Sequence, residues 1–201
     1  MRGRDRVFKA GAIQHIYQDT VDGSLIFYSA RDYLVLFTLI SVAARKYHVQ
    51  ILGICFMPDH IHLLVIASSR QTLSRFVCHY TSRFAKLYNR TVFRSGQFFR
   101  HSFGSALKID DKKCRSAIAY LYNNPVEKQL ATDVESGRWN YLRYAQSSHP
   151  FSTALDQSHA SKAMRRAIEE VRACRKADEP LNYTQIERMT KDLTVLFPHV
   201  L

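Results

Sequence analysis

Two groups of side chains in this 201-residue chain could do chemistry together. The first is His60 and His62 within Phe56-Met57-Pro58-Asp59-His60-Ile61-His62-Leu63-Leu64-Val65. Side chains two residues apart on a strand point to the same face, so the two imidazoles stand together while Ile61 and Leu63 turn the other way. Such a pair suits an intermediate divalent metal, or Mg²⁺/Mn²⁺ when phosphate oxygens complete the shell. Taken alone, two histidines on a wet strand face are as readily structural.

The second group is Ala119-Tyr120-Leu121-Tyr122-Asn123-Asn124-Pro125-Val126. On a helix Tyr120 and Asn124 are four apart and share a face. Asn124 offers an amide oxygen, a hard ligand suited to a divalent cation. Tyr120 offers a phenol, a weak nucleophile at its ordinary pKa near about 10. A metal that polarises a phosphate beside it makes attack feasible. Tyr122 is the rival nucleophile, but it lies about 200° round the helix from Tyr120 and off the face shared with Asn124. Alone, Tyr120 is equally an ordinary packed or exposed aromatic.

The elements that must position these groups can be traced along the chain. A strand is expected from Ala12 to Tyr17, a turn at Asp22-Gly23, and a short apolar piece from Leu25 to Tyr28. Ser29 and Asp32 have the spacing of a helix start, opening a well-buried helix from Arg31 to Tyr47. Val49 to Phe56 and His60 to Ile66 form a hairpin broken by Met57-Pro58-Asp59. Ser68 and Gln71 have capping-box spacing for a helix from Gln71 to Asn89. Its apolar positions are Leu73, Phe76, Val77, Tyr80, Phe84 and Leu87, and Arg75, His79, Arg83, Lys86 and Arg90 recur on one other face. Arg94 to Phe103 is aromatic and basic and is expected as a strand. Asp110 or Asp111 caps a third helix ending near Asn123, because Pro125 disfavours helical geometry at Asn124.

The order β-α-β-β-α-β followed by a helix is the split βαβ, ferredoxin-like pattern. We therefore expect an α+β fold: an antiparallel sheet with helices on one face and a C-terminal helical extension. Residues 1–130 form the catalytic domain in this reading, and 131–201 pack on it without being an independent domain. Helices are expected over 161–176 and 184–197, the second capped by Asn182.

The charge is uneven. Residues 1–130 carry 19 Lys/Arg against 8 Asp/Glu, and residues 131–201 carry 10 against 9. A field concentrated in the first two thirds favours a polyanionic partner, of which nucleic acid is the commonest. Arg75, Arg83, Lys86 and Arg90 would form a phosphate track toward the metal, or a solvated helix surface. Arg94 and Arg100, with Phe98 and Phe99 between them, mix charge and aromatics in a way that suits stacked single-stranded bases, although the two rings equally suit a core. His15 and His101 are further candidates without a definite role, and Arg165-Arg166 could touch DNA. Cys55, Cys78, Cys114 and Cys174 form no CxxC pair and are expected as buried thiols rather than a zinc or disulfide framework. No apolar run approaches the roughly 20 residues of a membrane span, and no signal-type core follows the basic N-terminus, so a soluble cytoplasmic protein is expected.

Together, Met57 to Leu64, Phe84 to Asn89 and Tyr120 to Val126, in this order and spacing, resemble the HUH endonuclease superfamily. The resemblance covers about residues 10–145 and is strongest to the REP-associated single-tyrosine transposases and related small insertion-sequence transposases. It implies that His60 and His62 bind a divalent metal, Mg²⁺ or Mn²⁺, with Asn124 as third ligand. It implies that Tyr120 cleaves single-stranded or hairpin DNA, keeps a 5′-phosphotyrosine link and releases a 3′-OH; that 3′-OH or another then attacks the phosphotyrosine and rejoins DNA. Asp59 stands where relatives often carry Asn, and Glu127-Lys128 replaces the small residue and glycine usual after Pro-Val. The readings that compete are a relative that binds DNA hairpins without cutting them and a ferredoxin-like RNA-binding module. The sequence leaves monomer and homodimer both open.

Overall fold

The computed structural model describes residues 7–28, 30–100 and 102–134, with positions 162 and 169. The expected Ser29 cap, His101, Arg165-Arg166 and the helices over 161–176 and 184–197 lie outside the described residues.

Four strands form one antiparallel sheet: β1 (Ile13–Asp19), β2 (Gln50–Phe56), β3 (His60–Ile66) and β4 (Gly104–Lys108), in the order β2-β3-β1-β4. This is the ferredoxin-like arrangement expected from the element order. Helix α1 (Ala30–Tyr47) joins β1 to β2, α2 (Arg70–Thr91) joins β3 to β4, and α3 (Asp111–Glu127) follows β4.

The period of two in β3 sorts its side chains. Ile61, Leu63 and Val65 are fully buried in a core with Ile16 of β1, Ile54 and Phe56 of β2, Leu36, Leu39 and Ile40 of α1, and Phe76, Tyr80 and Phe84 of α2. Leu64 points the other way, into a smaller cluster with Cys55, Met57, Ala117, Leu121 and Tyr122. Thus α1 and α2 cover one face, as the split βαβ pattern expects, while α3 crosses the opposite face rather than joining them. Gly53 makes that close approach possible. A Cβ there would lie 3.1 Å from Leu121 Cδ2 and 3.6 Å from Tyr122 Oη. The register slips between Ile51 and Gly53, which leaves Leu52 as the extra, exposed residue of a bulge.

Several boundaries differ from expectation for identifiable reasons. Ser69, not Ser68, caps α2: its backbone is extended and its Oγ accepts the Thr72 N–H at 3.0 Å. The stretch 94–103 is not a strand. Phe98 and Phe99 turn into the core, with Phe98 4.6 Å from the Tyr88 ring and 5.6 Å from that of Phe84. Their burial removes them as base-stacking residues, and the fourth strand begins only at Gly104. Helix α3 is capped by Asp110, which accepts the Lys113 N–H at 2.7 Å, but it runs through Pro125 instead of stopping before it. Pro125 forfeits one backbone donor. It is buried near the helix end, where Lys128, Gln129 and Leu130 N–H groups take up the last carbonyls of Asn124, Val126 and Pro125. Of the cysteines, Cys55 is buried as expected, but Cys78 is exposed and Cys114 half-buried; all three are free thiols.

Two substitutions test this division. Leu63→Ala is expected to cost about 2–5 kcal/mol in urea unfolding, because it opens a cavity in the main core. Leu52→Ala, at the exposed bulge, should stay within about 0.5 kcal/mol. Equal losses at the two sites would contradict the assigned faces of the sheet.

Candidate active site

The α3 face of the sheet gathers the chemistry. His60 and His62 stand together on β3 with ring centroids 4.9 Å apart. The Tyr120 ring lies 5.4 Å from that of His62, while Tyr120 itself is about half exposed. Sequence positions 58 apart thus meet because α3 packs through Ala117 and Leu121 and leaves Tyr120 at the edge of that contact. Tyr122 goes elsewhere, into the apolar cluster beside Gly53. A buried phenol there is poorly placed for substrate. Asn124 shares the Tyr120 side of α3 and is buried, and its Nδ2 has no hydrogen-bond partner among the described residues.

Asp59 closes a hydrogen bond with His60 Nδ1 at 2.6 Å. A carboxylate on one imidazole nitrogen orients the ring and directs the other nitrogen outward. The Asp59 backbone carbonyl also accepts the Thr20 N–H, tying the β2–β3 turn to the end of β1. On β1, His15 Nε2 lies 3.1 Å from His62 Nδ1, and its ring is 5.9 Å from that of Tyr120. From the sequence His15 has no definite role; its parity on β1 matches the face of His62 only once the β1–β3 pairing, His15 opposite Leu64 and Tyr17 opposite His62, is known.

Burial controls the protonation of this cluster. Desolvation, reinforced by His15 and His60, pushes the His62 pKa down to about 3. Desolvation, with help from Lys108, lowers that of His15 to about 4. Both rings are therefore neutral at pH 7, the form that can coordinate a metal. His62 Nε2 is buried without a partner among the described residues, as a nitrogen reserved for a ligand would be. Cys55, opposite His62 on β2, is not a competing ligand: burial raises its thiol to about 12 and it faces the apolar cluster. Among the described residues no three His, Cys, Asp or Glu side chains converge as a ready-made metal site. The donor set is two imidazoles, with oxygen required from elsewhere.

The basic residues divide into two places. Arg75 and Arg83 line a recess of about 340 Å³ on the outer side of α2 with Tyr47 and His79, and Lys86 and Arg90 are exposed along the same helix. This side lies across the sheet from His62 and Tyr120, so the α2 residues do not adjoin the candidate centre. Arg94 stands over the Phe98 ring at 5.6 Å. Arg100 is exposed, and its N–H bonds the carbonyl of Asp19, the residue opposite His60. It is the predicted basic residue tied to the histidine end of the sheet.

The sequence model of the IS200-like transposases matches residues 26–124, which include both histidines, Tyr120 and Asn124. Over this segment the chain is similar to the IS200-like transposases. A Haemophilus influenzae protein provisionally assigned as a REP-associated tyrosine transposase is 30% identical over 112 residues, covering 50% of this chain. The match spans 61% of that relative's length. A solved REP-associated tyrosine transposase bound to a REP hairpin superposes with a TM-score of 0.62 over 80% of this chain and 96% of its own. At 17% identity it shows a shared fold. No helix among the described residues is long and apolar enough to cross a membrane.

The depressed histidine pKa values give the protein a pH signature. Folded values near 3 and 4 lie below the unfolded value of about 6.5. The unfolded chain therefore binds protons first, and stability present above about pH 6.5 is lost as pH falls toward 4. Urea unfolding with chelator present should show this decline between about pH 6.5 and 5, and His62→Leu should flatten it. A wild-type profile that is level over that interval would contradict neutral, buried imidazoles.

Proposed function

We propose that this protein is a DNA transposase, a metal-dependent endonuclease and strand transferase that acts on single-stranded, hairpin-forming DNA through Tyr120. The observation that carries this reading is the Tyr120 ring 5.4 Å from that of His62, whose Nε2 is buried and unpartnered. The match to the IS200-like transposase model supports the transposase class. The hairpin bound to the structural neighbour supports the form of DNA.

His60 Nε2, His62 Nε2 and the Asn124 amide oxygen would hold Mg²⁺ or Mn²⁺, with substrate phosphate completing the shell. When bound, the cation would withdraw charge from the scissile phosphate and so compensate for the weak nucleophilicity of a phenol. Asp59 keeps His60 oriented. The Tyr120 Oη attacks phosphorus and loses its proton. An O–P bond to the 5′ side forms, the bond from phosphorus to the 3′ oxygen breaks, and that oxygen takes up a proton through solvent, balancing the one Tyr120 released, and leaves as a 3′-OH. The phosphodiester becomes a phosphotyrosine ester of similar energy, so attack by a 3′-OH can rejoin DNA without a nucleotide cofactor. Partial exposure of Tyr120 leaves room for the strand.

The test is incubation with end-labelled single-stranded hairpin DNA and Mn²⁺ or Mg²⁺, followed by a denaturing gel. A covalent protein–DNA adduct is expected, lost with chelator and in Tyr120→Phe. Hairpin binding with no adduct under either metal would indicate a protein that binds without cutting. Arg100→Ala should flatten the log–log salt dependence of single-strand binding by about 0.7 if Arg100 contacts one phosphate. An unchanged slope would remove Arg100 from the DNA path.

A further inference from the structure

His15 lies on β1, before the segment that matches the family model, yet its ring lies against that of His62, with centroids 5.1 Å apart. Its position is fixed on both sides: His15 pairs with Leu64 of β3 and with Ala106 of β4. Its ring meets Tyr17 edge-on at 6.1 Å and Tyr120 at 5.9 Å. One nitrogen, Nε2, faces His62 Nδ1 at 3.1 Å.

Two neutral imidazoles in such contact have two arrangements. A neutral ring has one N–H donor and one bare acceptor nitrogen. If His15 donates, His62 must carry its own proton on Nε2, where it cannot ligate a cation. If His62 donates from Nδ1, its Nε2 keeps the lone pair. From this we infer that His15 is a positioning residue: its Nε2 accepts the His62 Nδ1–H, fixing His62 in the tautomer and orientation that leave Nε2 free as a ligand. The inference rests on the reading of His60 and His62 as metal ligands. It makes the two ligands complementary, since His60 is oriented by the carboxylate of Asp59 through Nδ1, and His62 by an imidazole through the same atom. A neutral acceptor on the buried ring and an anionic one on the half-exposed ring follow the cost of burying charge.

The experiment uses the full chain without DNA. Ring ¹⁵N NMR on the metal-free wild type reads which His62 nitrogen carries the proton. Calorimetry reads Mn²⁺ affinity in wild type, His15→Gln, which keeps an acceptor, and His15→Phe, which keeps a ring without one. Proton on Nδ1 is expected in wild type, with Mn²⁺ binding weakened about 10–100-fold in His15→Phe and largely retained in His15→Gln. A wild-type His62 protonated on Nε2 overturns the inference whether or not the variants fold. So does wild-type Mn²⁺ affinity in folded His15→Phe, which would leave the metal reading standing. Weaker binding in His15→Phe with the His62 tautomer unchanged also overturns it, since that is loss of packing alone. A folded wild type that binds no Mn²⁺ removes the metal reading and this inference with it.

Discussion

Strand β3 can turn only one of its faces to the main core, and Ile61, Leu63 and Val65 decide which. All three are fully buried between the sheet and helices α1 and α2. The alternation of a strand then leaves His60 and His62 no choice but the opposite face. A slip of one residue would bury both imidazoles in the core and expose three large aliphatic groups, so register is held by the whole hydrophobic contribution of the strand. The placement of the histidine pair is in this sense a by-product of core packing, and it is as rigid as the core.

The second requirement is that something meet those histidines, and α3 supplies it with few contacts. Its cluster on the sheet comprises Cys55, Met57 and Leu64 below and Ala117, Leu121 and Tyr122 above. Gly53 lets the helix settle close enough for Tyr120 to reach His62. The two faces of the sheet thus differ, the main core toward α1 and α2 and the candidate centre toward α3. The price is visible in unsatisfied groups. His62 Nε2 and Asn124 Nδ2 are buried without partners among the described residues, each at about 1–3 kcal/mol if left so. The His62 nitrogen lies beside the Tyr120 ring, on the face of the candidate centre.

Much of this was legible in the sequence because it follows from short periods. The bounds of β3, the stripe of α2 and the shared side of Tyr120 and Asn124 come directly from spacings of two, three and four residues. What was not legible depends on packing between distant segments. Phe98 and Phe99 look alike as stacking platforms or core residues until Tyr88 and Phe84 are found against them. Pro125 stops a helix locally but not where the following N–H groups complete the turn. The basic side of α2 was readable, but its position across the sheet from the histidines was not. His15 escaped for the same reason, since only the antiparallel β1–β3 register brings it to His62.

The central claim is that Tyr120, and not its neighbour Tyr122, becomes covalently joined to DNA beside the two β3 histidines. Both tyrosines fall between Arg115 and Lys128, so one tryptic peptide carries either product. The direct measurement is fragmentation mass spectrometry of that peptide after reaction with hairpin DNA and nuclease trimming. The account predicts a nucleotide remnant on Tyr120 alone. A remnant on Tyr122 would contradict it, because that phenol lies buried in the apolar cluster under α3.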